Sequence, residues 1–155
     1  MNSYYKDILK KGNVEMKKII LSILLAIILA GCNKVVAQPQ GKVVIDNNYY
    51  MMMAKDYQWD EDDVEIKTIS SLDTNELADQ FETLEVEKED TLKFEIEKNP
   101  SSITVIRLNE DGTSEIVEMK DNKITMPSEE GYYIYELKTI WNKGRETFVF
   151  DVNVN

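Results

Sequence analysis

From residue 84 onward the chain alternates apolar and polar residues in short runs. Residues 84–87 and 92–97 place leucine, valine, phenylalanine or isoleucine at every second position, with charged residues between them. A period of two is typical of a strand that is buried on one face. Five more runs with strand character follow, at residues 103–108, 115–120, 123–126, 132–141 and 146–154. The pattern therefore predicts seven short strands.

Turn-forming residues separate these runs. Pro100 and Pro127 each interrupt the pattern, and residues 109–112 (Asn-Glu-Asp-Gly) predict a hairpin turn. Gly131 and Gly144 also fall between predicted strands. Many short strands with turn signals between them are typical of an antiparallel β-sandwich.

Residues 43–83 have a mixed pattern. Short β-patterns at residues 43–45 and 64–69 predict two more strands. Asp73 and Glu76 have the spacing of a capping box, and Leu72 and Leu77 flank it as a hydrophobic staple. This part therefore predicts one short helix over residues 74–82.

Residues 128–135 read Ser-Glu-Glu-Gly-Tyr-Tyr-Ile-Tyr. A turn, a small residue and a tyrosine two positions later resemble the start of the sixth strand in immunoglobulin-like domains, where a tyrosine-corner hydroxyl bonds to the backbone. The resemblance implies that Tyr133 is the corner residue, after Gly131, and that Tyr135 stands where antibody-type domains have their second disulfide cysteine. We expect Gly131, Tyr133 and Trp141 to be structural residues of this sandwich.

The front of the chain has a different pattern. Lys17 and Lys18 precede residues 19–30, which are apolar except for Ser22, and the run ends in Leu-Ala-Gly followed by Cys32. Twelve residues fit the apolar part of a signal peptide and are too few for a spanning helix, which needs roughly 18 or more.

The segment Leu29-Ala30-Gly31-Cys32 resembles the lipobox of bacterial lipoproteins. The resemblance implies that a diacylglyceryl group is attached to the Cys32 sulfur and that the leader is cleaved before this residue. Two acyl chains are sufficient for stable anchoring. We therefore expect an extracytoplasmic protein anchored to the cell membrane by lipid, with no other cofactor.

These patterns divide the chain into five parts. We expect residues 1–15 to be an upstream extension, with translation starting at Met16, residues 16–31 to be a lipoprotein signal peptide, and residues 32–42 to be a lipidated tether. Residues 43–83 hold the N-terminal strands and the helix, and residues 84–155 hold the immunoglobulin-like sandwich. The predicted fold class is mostly β.

Charge and composition narrow the function. The 155 residues carry 18 basic and 29 acidic side chains, a net charge of −11, and residues 32–155 alone carry −14. An acidic surface disfavours nucleic-acid binding. The chain has no histidine and one cysteine, which excludes Ser-His-Asp and Cys-His triads, histidine zinc sites and an intrachain disulfide.

Two segments are weak candidates for a cation site. The cluster Asp60, Glu61, Asp62 and Asp63 offers the carboxylate oxygens that hard cations prefer, although consecutive acids do not all converge on one ion. Residues 107–118 approach the EF-hand pattern, but Arg107 occupies the first ligand position. We therefore expect a plain hairpin there, and no metal site as the default.

Residues 49–59 are rich in tyrosine, methionine and tryptophan. Such side chains suit a strand packed in the core or a binding surface, and the core is favoured. The predicted function is a non-enzymatic binding module with an acidic surface, whose partner is a basic protein surface such as that of a basic envelope protein, another envelope protein, or a cation. The alternatives are an enzyme or enzyme-inhibitory module acting on the cell wall, and a cation-binding surface protein. The sequence does not indicate the oligomeric state.

Overall fold

The computed structural model describes residues 37–61, 64–109 and 111–155. Within these residues the chain forms one short helix, α1 (Thr74–Ala78), and eleven strands. The strands are β1 (Gly41–Ile45), β2 (Asn48–Met51), β3 (Met53–Glu61), β4 (Val64–Ile69), β5 (Leu84–Val86), β6 (Thr91–Ile96), β7 (Ser102–Leu108), β8 (Ser114–Val117), β9 (Lys123–Thr125), β10 (Gly131–Trp141) and β11 (Gly144–Val154). The predicted mostly β fold with one short helix is confirmed.

The strands form two sheets. The smaller sheet has the order β2-β1-β6-β9, and the larger sheet has the order β4-β3-β11-β10-β7-β8. All of these pairs are antiparallel, and β5 adds to β11 in parallel where β3 has ended. β1 and β2 belong to the smaller sheet, and β3 and β4 belong to the larger sheet. Residues 43–83 and 84–155 therefore build the same sandwich.

Five of the last seven strands have the places that an immunoglobulin-like sandwich gives them, whereas β5 and β8 join the larger sheet instead of the smaller one. The second and fifth of the seven, β6 and β9, pair in one sheet, while the third, sixth and seventh, β7, β10 and β11, lie side by side in the other. At the predicted corner, the Tyr133 hydroxyl donates a hydrogen bond to the Glu129 carbonyl oxygen, 3.1 Å away. Gly131 has a φ of +152°, and Tyr135 is buried.

Aromatic side chains fill the space between the sheets. Phe150 of β11 stacks on Tyr135, with ring centroids 5.0 Å apart, and contacts Phe94 of the smaller sheet at 5.6 Å. Towards the other end, the rings of Trp59 and Trp141 are 5.7 Å apart. Each large aromatic side chain removes much apolar surface from water, so these residues supply a large share of the burial energy.

The aromatic segment at residues 49–59 lies in β2 and β3, and the chain passes from the smaller sheet to the larger sheet between these two strands. β2 and β3 are separated only by Met52, which is buried and whose N–H donates to the Gly41 carbonyl oxygen. Tyr57 and Trp59 lie in the core, as favoured from the sequence, whereas Tyr49 and Met51 are exposed. Apolar and polar residues do not alternate regularly along this segment, because Met52, at the corner between β2 and β3, is itself buried.

The predicted helix and the predicted tether were both too long. α1 covers residues 74–78 of the predicted 74–82, with both halves of the Asp73–Glu76 capping box present. The predicted tether, residues 32–42, overlaps β1 at Gly41, and the Gln40 backbone N–H and C=O both bond to Glu97. No helix among the described residues is long and apolar enough to cross a membrane.

The β10–β11 hairpin gives a test of this packing. A Cβ added at Gly144 would lie 2.2 Å from the Gln58 carbonyl oxygen and 2.6 Å from a Trp59 ring carbon. Backbone cannot move aside without separating β3 from β11, so Gly144→Ala should destabilise by about 3 kcal/mol, the upper end of the usual range for overpacking. Unfolding in urea, followed by tryptophan fluorescence, measures the change.

Gly112 provides the control, because it has a φ of +81° and open space where a Cβ would lie. Gly112→Ala should cost only about 1 kcal/mol, from the left-handed backbone alone. Equal losses in the two variants would contradict the predicted contact between Gly144 and β3.

Candidate binding face on the larger sheet

Helix α1 covers one half of the outer face of the larger sheet. Leu77 and Ala78 pack on Ile134 of β10 and Val149 of β11, and all four side chains are buried. Partly buried apolar side chains surround this cluster, namely Met53, Leu72, Leu108 and Tyr132. This half of the outer face is therefore a second, smaller core.

An ion pair fixes the start of α1 on the sheet. The Lys55 Nζ lies 2.9 Å from the Glu136 Oε1, and the Thr74 hydroxyl donates to the same oxygen at 2.6 Å. Burial acts to raise the pKa of Glu136, but the bonds from Thr74 and Lys55 outweigh it and hold that pKa below its usual value. Glu136 is therefore a charged structural residue under α1.

The other half of the outer face is an open groove of about 460 Å³. It crosses four neighbouring strands, each of which contributes outward-facing side chains. These are Lys138 and Ile140 of β10, Arg145 and Thr147 of β11, Asp56 and Gln58 of β3, and Lys67 and Ile69 of β4. On β10, for example, Lys138 and Ile140 alternate with the buried Leu137 and Thr139, so they point away from the core.

Strand register brings the polar residues of the groove into a row. Arg145 is paired with Ile140 on one side and with Gln58 on the other, and Gln58 is paired in turn with Lys67. Lys138 lies in the adjacent row, opposite Thr147. Neighbouring strands are about 4.8 Å apart, so the cations of the row are close enough to act on one ligand.

Three cations line the groove. Lys67, Lys138 and Arg145 form no ion pair with any other residue that the structure describes. Among the residues that line the groove, Asp56 directs its carboxylate into it, whereas Glu146 faces the core. Asp60 and Glu65 are paired on the next row of the same face, and Glu65 accepts a hydrogen bond from the Gln58 amide, so carboxylates also border these cations.

Large apolar side chains are exposed on the same face. Ile69 is 65% exposed and Ile140 is 50% exposed, and both border the groove. Farther along, Ile116 of β8 is 76% exposed opposite Ile106 of β7. Several exposed isoleucines on one sheet face are typical of an interaction surface.

A second polar group lies inside the sandwich. Glu146 is 2% exposed, and its Oε1 accepts a hydrogen bond of 2.5 Å from the Gln38 amide. Its Oε2 and the hydroxyl of Tyr57, its partner in β3, have no hydrogen-bond partner in the described part of the chain. Burial raises the pKa of Glu146 to about 7, against the opposing effects of Gln38 and Lys98.

The acidic cluster predicted from the sequence lies only partly within the described residues. Glu61 accepts bonds from the Lys143 Nζ at 2.6 Å and from the Trp59 indole at 3.2 Å, so both of its oxygens are occupied. Asp60 is exposed in β3, and Asp62 and Asp63 fall outside the described residues. Among the described residues, no group of three or more metal-binding side chains converges.

The calcium-like segment is a hairpin, as expected. β7 and β8 pair on either side of it, and Gly112 donates its N–H to the Asn109 carbonyl oxygen. Arg107 bonds to Asn109, pairs with Glu115 at 3.0 Å and lies 5.0 Å from the centre of the Tyr133 ring. Arg107 thus connects the hairpin to the tyrosine corner.

The remaining structural candidate, Trp141, is buried and donates its indole N–H to the Glu97 carbonyl oxygen at 3.1 Å. Cys32 and the leader lie outside the described residues. The groove was not predicted from the sequence, because its residues come from four strands and span positions 56 to 147. One signal was present: Ile140 is a bulky apolar residue two positions after a lysine on the outward face of a strand.

Comparison with known proteins identifies the leader. Residues 16–33 match the family model described as prokaryotic membrane lipoprotein lipid attachment site. The chain is therefore a lipid-anchored, membrane-associated extracytoplasmic protein. No curated protein matches it.

One solved structure is partly similar, that of CBM33 from Bacillus amyloliquefaciens in complex with Cu(I) after photoreduction. The identity is 15% and the TM-score 0.38, over 52% of this chain and 62% of that chain. The chain thus spans less than two thirds of that structure. The copper belongs to that protein.

The raised pKa of Glu146 predicts how stability depends on pH. Between the usual glutamate pKa of 4.5 and about 7, the folded protein keeps a proton that the unfolded chain releases. The free energy of unfolding should therefore decrease as the pH rises through this range, and Glu146→Gln should remove this contribution.

Thermal unfolding between pH 5 and pH 8 measures the effect. A Glu146→Gln protein with the same pH dependence as the wild type would contradict the assignment.

Proposed function

We propose that this protein is a lipid-anchored binding module that holds a partner of the cell envelope on the open half of the outer face of its larger sheet. The observation that carries the proposal is the groove itself, where exposed Ile69 and Ile140 lie beside three cations that form no ion pair within the described part of the chain. The other half of the same face is closed by α1. The lipid supplies attachment, so the folded domain is free to use this face for recognition.

The side chains in the groove support binding and not catalysis. Hydrolysis of a glycosidic bond takes two carboxyl groups about 5–10 Å apart on either side of the substrate. Among the described residues that line the groove, Asp56 alone directs a carboxylate into it, whereas Glu136 lies under α1 and Glu146 lies in the core. We therefore assign no catalytic step to this site.

The acidic remainder of the surface suits a different kind of partner. A basic envelope protein, the partner expected from the net charge, would contact that acidic surface and not the groove. The cation-binding alternative has less support, because Glu61 is already bonded to Lys143 and Trp59. The binding face on the larger sheet is the better-supported site.

The anchor is tested at Cys32. Cys32→Ser removes the only thiol of the chain, so the protein should lack the mass of the diacylglyceryl group and keep its leader, as intact-mass spectrometry measures. Gly31→Ala keeps a small residue before the cysteine and should be lipidated and cleaved like the wild type. A Cys32→Ser protein that is cleaved and carries the same lipid mass as the wild type would contradict lipidation at this residue.

The binding face is tested by photo-crosslinking in intact cells. A photoreactive phenylalanine analogue at Ile140 or Ile69 should give a discrete crosslinked adduct, because these side chains would be covered by the partner. The matched control is the same analogue at Met51, which is 45% exposed on the smaller sheet. Adducts at Met51 but none at the two isoleucines would overturn the proposed face.

A further inference from the structure

We infer that the sandwich faces the membrane with the end that holds the β10–β11 turn, residues 142–143, and that this end lies against hydrated lipid head groups. The inference rests on the proposed function, because it takes a lipid on Cys32 as the anchor. It adds the orientation in which the binding face is presented. It follows from where the chain enters the sandwich, from the length of chain before that point and from the surface at this end.

The segment before β1 is fixed to the sandwich from residue 37 onward. The Gln40 N–H donates to a Glu97 side-chain oxygen at 3.1 Å, and the Glu97 N–H donates to the Gln40 carbonyl oxygen at 3.0 Å. The Gln38 amide donates to the buried Glu146 carboxylate at 2.5 Å. These residues are therefore part of the fold and not of a free linker.

The chain enters the sandwich at the end that holds the β10–β11 turn. The Lys98 Nζ donates to the Ala37 carbonyl oxygen and lies 4.5 Å from the centre of the Trp59 ring. Trp59 contacts Trp141, the last residue of β10, with ring centroids 5.7 Å apart. Gly131, at the opposite end of β10, is ten residues from Trp141, which is roughly 33 Å at about 3.3 Å per residue. The entry point is therefore close to one end of the sandwich and far from the other.

The chain between the anchor and this entry point is short. Ala37 follows Cys32 by five residues, and five fully extended residues span at most about 18 Å. This upper limit holds for any conformation of those residues. A sandwich that faced the membrane with its Gly131 end would hold Ala37 roughly 33 Å away, which is beyond the reach of the chain. The anchor therefore excludes that orientation.

The direction of the chain favours an upright sandwich over one that lies on a sheet face. β1 pairs with β6 through Gly41 and Ile96, and the bond between Gln40 and Glu97 continues this ladder by one residue. The chain before β1 therefore runs along the strands and leaves the sandwich at its end. The outer faces of both sheets, including the groove, then stand away from the lipid.

The surface at this end suits hydrated head groups and not acyl chains. Its exposed residues border a cavity of about 300 Å³ that Trp59 and Trp141 also line, and all of them are polar: Lys98, Asn99, Ser101, Asn142 and Lys143. None of the large apolar side chains that are exposed among the described residues belongs to this set. Carboxylates lie at the same end, namely Asp60, Glu61 and Glu97, so the short chain and not attraction to anionic lipids sets the orientation.

The test measures the heights of two positions above the bilayer. Because the lipid occupies the Cys32 thiol, one added cysteine can be labelled selectively, with Asn142→Cys at the turn and Ser128→Cys at the opposite end, both exposed. Energy transfer from each dye to an acceptor on the lipid head groups is measured for the full lipoprotein in neutral phosphatidylcholine nanodiscs. We expect the dye at residue 142 to lie at least about 20 Å closer to the bilayer than the dye at residue 128.

A spacer tests whether the short chain is the cause. About thirty Gly-Ser residues inserted between Val36 and Ala37 lengthen its reach to roughly the length of the sandwich, so both ends can approach the bilayer. The difference between the two dyes should then fall below about 10 Å. The matched control adds the same residues after Asn155, where they leave the anchoring segment unchanged, and should keep the full difference.

Intact-mass spectrometry of the same samples separates the two proposals. A protein without the lipid mass would overturn the anchor of the proposed function, and this inference with it. A lipidated protein whose two dyes are equally high, or whose dye at residue 128 is the nearer, would overturn the inference alone. A spacer variant that keeps the full difference would also overturn it, because the short chain would not be the cause of the orientation.

Discussion

Strands β10 and β11 are eleven residues long and pair along their whole length, from Gly131 with Val154 to Trp141 with Gly144. A hairpin of this length has two faces, and the apolar side chains of each face must be covered by a different part of the structure. The inner face is apolar except at the paired Thr139 and Glu146, and it packs on the smaller sheet. The outer face has a buried apolar cluster at one end, around Ile134, where α1 covers it, and exposes Ile140 at the other end. The rest of the structure, including the open groove, follows from this unequal division of the outer face.

The buried carboxylates of the larger sheet differ in how well hydrogen bonds and cations compensate their charge. Glu136 is paired with Lys55 and fixes α1, whereas Glu146 meets only the Gln38 amide and retains an unpartnered oxygen. Asp151, also buried, accepts a bond from Thr83, and burial raises its pKa. A buried acid without a cation costs free energy when it is charged. The free energy of unfolding of the sandwich is therefore expected to be larger under mildly acidic conditions than under alkaline ones.

The local features of the fold were predictable from the sequence, and the non-local ones were not. The strands after residue 84 and the cap at Asp73 depend on periods and spacings within a few residues. The corner at Met52 is determined by two sheets at once, and the groove depends on the register of four strands. Lys67 and Arg145 are 78 positions apart, so no pattern along the chain places them in one row.

The central claim is that the groove half of the outer face is occupied in the cell and the smaller sheet is not. Carbene footprinting of the lipoprotein in native membranes, compared with the purified protein in detergent, measures this directly residue by residue. The account predicts that labelling decreases in native membranes at Ile69 and Ile140, while Tyr49 and Met51 are labelled equally in both samples. Protection confined to Tyr49 and Met51, or unchanged labelling of both isoleucines, would contradict it.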